Sequence, residues 1–119
     1  MNFDDLLAKA NNEFESFSLV WRDEFEFNEN CDSIELSLKS YLLKEERTDE
    51  WPGTKIFNAL ATVRHYKVEI GSIEILKKVG SFGAWLAPSY PEDLAFYKGV
   101  TVVYSSIAHE NDEWLEPLN

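Results

Sequence analysis

Phe3, Leu6, Leu7, Ala10, Phe14 and Phe17 recur at spacings of three and four, which predicts a helix over residues 3–16 with one buried stripe. The next stretch, SLVWRDEFEF, changes period. Leu19, Trp21, Phe25 and Phe27 alternate with Val20, Arg22, Glu24 and Glu26, the pattern of a strand with one covered face, and Asp23 interrupts its apolar side. NENCD then reads as a turn in which Asp32 or Ser33 caps a helix over 33–43, with Ile34, Leu38, Tyr41 and Leu42 on its inner side. Ile34, Leu36 and Leu38 also alternate, so a strand competes for that segment.

KEERTDEWPGT carries no apolar period and reads as a polar link that turns at Pro52-Gly53. ALATVRHYKVEI is rich in β-branched and aromatic residues and predicts a strand. GSIEILKKVG predicts a short helix capped by Ser72 and stopped by Gly80. FGAWLAPSYPED reads as a connection, and LAFYKGVTVVYSS as two strands hinged at Lys98-Gly99. Together these elements predict one α+β domain over 1–119, a mostly antiparallel sheet of four or five strands with two or three helices on one face. The expected core is Leu6, Leu7, Phe14, Trp21, Phe25, Leu38, Val63, Tyr66, Ile73, Leu76, Trp85, Leu94, Phe96, Val102 and Tyr104.

At 119 residues the chain is long enough to bury a core without staples, and a hydrophobic content of 45% sets it apart from disordered sequences. Cys31 is the only cysteine, so no internal disulfide is available. No apolar run is long enough for a membrane span, and the opening MNFDDLLAKANNEF is acidic where a secretory signal would be basic and then apolar. A cytoplasmic location is the expectation. Charge changes the picture most: 22 acids face 11 bases, a net of -11, and residues 1–50 alone hold 14 acids and 5 bases. Such a surface repels phosphate and disfavours direct nucleic-acid binding, whereas a basic protein would be attracted. Solubility alone also accounts for acidic surfaces.

Catalytic apparatus is sparse. His109-Glu110 is one acid-base candidate, and PEDL could bring Glu92 or Asp93 to it, with Trp51 nearby; yet neighbours on a strand point to opposite faces. The structural alternative is a proline corner at PEDL with His109 locking a loop and Glu110 facing water. Cys31 reads as a partly buried small apolar residue and not a nucleophile, and His65 as an exposed or packed ring within a strand and not a ligand. Two histidines and one cysteine offer no zinc-ligand spacing, the glycines are scattered, and neither a phosphate loop nor a serine elbow is present, so no metal or cofactor is expected.

WPGT at 51–54, ATV..Y at 61–66, W.AP..PEDL.FY at 85–97 and S.AHE at 106–110 give the chain a further likeness. Over about 70 C-terminal residues it resembles a group of small uncharacterised bacterial proteins that share these blocks in this order, some carrying a sporulation-type label. The resemblance implies a shared fold and brings no active site with it.

Two functions follow as expectations. The first is a non-enzymatic, acidic protein-binding domain of the immunity or antitoxin type that blocks a basic, nucleic-acid-cutting toxin through Asp23, Glu24, Glu26, Glu29, Asp32 and Glu35. The second is a small enzyme or ligand-binding domain with its site at His109, Glu92 and Asp93.

Overall fold

The fold is described from a computed structural model that covers residues 2–80, 85, 87, 89–107, 110 and 112–115. In chain order the elements are α1 (Phe3–Glu13), β1 (Ser16–Arg22), α2 (Glu29–Leu38), a 3-10 turn (Lys39–Tyr41) and β2 (Leu42–Thr48). Then come β3 (Glu50–Trp51), β4 (Thr54–Lys55), β5 (Ala61–Lys67), α3 (Ile70–Val79), β6 (Glu92–Lys98), β7 (Thr101–Ile107) and β8 (Asp112–Leu115). The protein is α+β, as the hydrophobic pattern predicts, but the main sheet has six strands where four or five are expected, β2 and β8 being edge strands outside the expected set. Six strands form one antiparallel sheet in the order β2-β5-β1-β6-β7-β8, and β3 and β4 form a separate two-stranded ribbon.

Three helices cover one face of the sheet. Phe3, Leu6, Leu7 and Ala10 of α1, Cys31 and Leu38 of α2, and Ile73 and Leu76 of α3 pack with Phe17, Leu19 and Trp21 of β1, Tyr66 of β5 and Leu94 and Phe96 of β6. Phe17 lies between Tyr66 and Phe96, with ring centroids 5.3 and 5.9 Å away. The opposite face has its own smaller cluster, Val20, Ala61 and Val63 covered by Trp51 and Ile56 from the 49–60 segment. The middle of β1 is therefore buried on both sides, and not on the single face that its alternation predicts.

Four local predictions need correction. The helix expected over 33–43 begins at Glu29 and ends at Leu38; its cap is Asn28, whose side chain accepts from the Asn30 N–H at 3.0 Å. The strand expected over SLVWRDEFEF stops at Arg22, after which the chain turns and leaves Phe25 half-exposed with Arg22 4.7 Å above its ring. KEERT, expected as a link, is most of β2, an edge strand exposed along most of its length. Ser72 sits at the third helical position, inside a reciprocal capping box with Glu69, which is the N-cap.

A fifth correction comes from irregular pairing. Tyr97 pairs with Val102 and Phe96 with Tyr104, so Val103 is an extra residue in β7, and it is Val103 that joins the core while Val102 stays half-exposed. The hairpin turn is Gly99-Val100, one residue beyond the expected Lys98-Gly99, because Lys98 still pairs with Thr101; Gly99 has φ +61°. The remaining predicted core residues are buried. No helix among the described residues is long and apolar enough to cross a membrane.

Candidate functional site

Two regions hold the charged residues singled out by the sequence. The first is the outer side of α2 with the adjoining edge of β2. Cys31, Ile34 and Leu38 face inward at i, i+3 and i+7, which turns Glu29, Asp32 and Leu36 outward at the same spacing. Leu36 is 73% exposed. A groove of about 330 Å³ runs from this face to β2, with Leu36, Leu42 and Tyr66 as apolar walls among Asp32, Glu35, Glu45, Lys39 and Arg64.

The six carboxylates predicted to meet a partner fall into two sets. Arg47 donates from both terminal nitrogens to Asp23, one bond at 2.7 Å, and also to Thr62 at 2.8 Å. That hydrogen bond holds the Asp23 carboxyl below its ordinary range, so the charge is present but already matched. Arg22 Nε donates to Glu24 at 2.6 Å. Arg64 donates to Glu35 at 2.9 Å and to Glu45 at 2.7 Å, with its guanidinium 4.4 Å from the Trp21 ring. Glu26, Glu29 and Asp32 form no ion pair among the described residues and are exposed. The uncompensated charge of this surface therefore sits at the start of α2, where the helix dipole also favours carboxylates.

The second region is the corner at Glu92 and Asp93, against the opposite face of the sheet. Ser18 pairs with Ala95 and Val20 with Glu92, so Asp93 and Leu94 together oppose the single residue Leu19. Asp93 adopts φ +54°, a left-handed conformation that is costly outside glycine and best tolerated by Asn and Asp. It is 4% exposed and accepts a hydrogen bond from Trp51 Nε1 at 2.8 Å. Asp93 thus pins the 49–60 cover to β6. Glu92 is fully buried. Arg22, Thr54, Lys55, Ile56, Asp93, Ile107 and Glu110 border an open cleft of about 350 Å³. Trp51 is the one cover residue that the sequence associates with this corner; nothing in the sequence places Arg22, Thr54 or Lys55 there. His109 lies outside the described residues, while Glu110 is exposed at the rim of the cleft.

A histidine–carboxylate pair does occur, though not at His109. His65 Nε2 lies 2.9 Å from Glu46 Oε1, and the imidazole packs 5.3 Å from the Tyr97 ring, whose hydroxyl is 2.8 Å from Ser18 Oγ. Of the two settings the sequence allows for His65, exposed or packed, the structure shows the packed one. Its partner is not legible in the sequence because KEERT, at a sheet edge, has the pattern of a polar link. Burial pushes the Cys31 thiol up to about 11, and Trp21 hydrogen-bonds it, so at neutral pH it is a protonated core group and not a nucleophile. Among the described residues, no group of three or more His, Cys, Asp and Glu is placed to hold a metal ion.

No family model matches the chain, and comparisons with curated proteins and with solved structures give no significant match.

Proposed function

We propose that the chain is a non-enzymatic, cytoplasmic protein-binding domain of the immunity or antitoxin kind, and that it docks a basic partner, such as a nucleic-acid-cutting toxin domain, on the outer face of α2. The observation that carries this reading is Leu36: a leucine 73% exposed on a well-packed helix, one and two turns from Asp32 and Glu29, whose charges no described residue neutralises. An apolar side chain seated in a partner's pocket supplies affinity, and carboxylates around it steer association. Asp23, Glu24 and Glu35 play a different part, since their arginines are already engaged and exchanging those pairs for intermolecular ones gains little.

The test is capture from extracts of the source cell by three forms of the protein: wild type, Leu36→Ser, and a triple variant Glu26→Gln, Glu29→Gln, Asp32→Asn. The expected result is a basic protein held by wild type, lost with Leu36→Ser, and captured more slowly by the triple variant, with the difference shrinking at high salt. Retention of the same proteins by all three forms contradicts the proposal.

A further inference from the structure

β2 ends the six-stranded sheet: one side of its ladder is taken by β5, and among the described residues no strand pairs with the other. Such an edge offers unpaired N–H and C=O groups to an extended chain, and proteins commonly guard it with charged side chains or bulges. In β2 most of the guards are engaged elsewhere. Glu45 reaches back to Arg64 at 2.7 Å, Glu46 to His65 at 2.9 Å, and Arg47 to Asp23 and Thr62, so these three side chains are held over β5 and not beyond the edge. The bulge falls near the start of the strand, at Leu43, and residues 44–48 keep a regular register.

The sheet is hollowed on both faces beside this edge. On the helix side lies the groove of about 330 Å³ walled by Leu36, Leu42 and Tyr66, with Asp32 at its border. On the other side a hollow of about 310 Å³ is walled by Leu43, Tyr97 and Val100, with Lys44 beside it. Leu43 is 57% exposed. The two hollows lie on opposite faces of one strand, because Leu42 pairs with Tyr66 of the helix-side core and Lys44 with His65, which shares the face of Val63. Side chains alternate along a strand, so a chain laid against β2 sends every second side chain to each hollow.

The charges that remain open decide what fits. Asp32 and Lys44 form no ion pair among the described residues. Three carboxylates border the α2 groove, Asp32, Glu35 and Glu45, against the two cations Lys39 and Arg64, which leaves one negative charge in excess. Lys44 disfavours a second cation on the other face, where the walls are apolar.

We infer that the basic partner docks by adding a strand to β2, through an extended segment whose basic side chains, directed to Asp32, alternate with aliphatic ones directed to Leu43 and Val100. Main-chain bonds to the open edge supply affinity, and the two hollows set the register. The methylene stems of the basic residues lie along Leu36 and Leu42. The inference rests on the α2 docking reading and adds to it the form of the docking segment.

The experiment reads amide hydrogen exchange residue by residue in ¹⁵N-labelled protein. The probe is an acetylated, amidated octapeptide of alternating lysine and valine; the control has the same composition arranged as a lysine block and a valine block. At about 1 mM the alternating peptide should slow exchange about tenfold or more at every second amide of 44–48, those whose N–H groups point away from β5, with smaller changes between them. The block peptide, equally charged, should bind about tenfold more weakly. Leu43→Ser should keep the wild-type unfolding midpoint and weaken the alternating peptide about fivefold. The inference is overturned if the alternating peptide gives no alternate protection, if the block peptide protects β2 equally, or if Leu43→Ser binds like wild type. Any of these results beside capture of a basic protein that Leu36→Ser loses would remove the added strand and leave the docking reading standing.

Discussion

The outer face of α2 and the corner at Asp93 both carry carboxylates, and they hold them in opposite ways. On α2, Glu29 and Asp32 stand on a regular helix with open surroundings, and nothing in the described structure fixes their side chains. At the corner, Asp93 is buried, left-handed and bonded to an indole 42 residues away in sequence. A charge of the first kind costs the fold little and acts at a distance, which suits steering toward a partner. A charge of the second kind costs backbone strain and acts only at contact, which suits holding the Trp51 cover in place. The contrast teaches that net charge alone, however large, does not say which carboxylates are available.

The largest effects should come from the scaffold that separates these regions. Phe96 is fully buried in the helix-side core, and Phe96→Ala should lower unfolding free energy by about 3–5 kcal/mol, with Leu94→Ala close behind at about 2–5. Denaturant unfolding measures both; a loss below about 1 kcal/mol would place them outside the core. Val100, 98% exposed at the hairpin tip, should change stability by less than about 0.5 kcal/mol when replaced by alanine.

Alkaline pH should act next, through Cys31 beneath α2. Its thiol titrates near 9.0 when unperturbed and is raised to about 11 in the fold. Stability is therefore fully present below pH 9 and is lost as pH rises toward 11, because the unfolded chain releases a proton that the folded thiol keeps. The loss should reach about 2–3 kcal/mol, and Cys31→Ala should remove it. Tyr66, Tyr97 and Tyr104, also raised by burial, add a fall of the same sign at higher pH. Unfolding midpoints of wild type and variant from pH 8 upward provide the check; parallel curves would refute the assignment.

At the Asp93 corner itself, Trp51→Phe removes the indole donor while keeping most of the cover, and should cost about 1–3 kcal/mol. A neutral result would mean that the cover is held by apolar contact alone. Smallest of all is the effect of neutralising the α2 carboxylates: the Glu26→Gln, Glu29→Gln, Asp32→Asn variant should unfold at nearly the wild-type midpoint. A large loss would show that these charges serve the fold.

Which parts of the molecule the sequence discloses follows from the same contrast. α1 and α3 were legible because each buries one stripe of apolar residues, and β5 because its β-branched and aromatic residues lie inside. β2 was not, since LLKEERT at a sheet edge is exposed on both sides and leaves no period to read. With β2 unseen, the pairs Glu46–His65, Glu45–Arg64 and Asp23–Arg47 could not be foreseen either. The core position of Val103 and the aim of Asp93 were hidden for a second reason: each belongs to a strand irregularity, and one extra residue breaks the alternation on which a strand is recognised. The acidic face was legible as composition, while the division between paired and unpaired carboxylates required the arginines to be placed in space.

Amide hydrogen exchange on the wild-type protein, alone and with its captured basic partner, tests the central claim most directly. The account predicts slowed exchange across 29–38 and 42–48, which form α2 and the neighbouring edge strand, and unchanged exchange across 49–60 and 92–98. Protection confined to 49–60 and 92–98, with α2 exchanging as in the free protein, would contradict it.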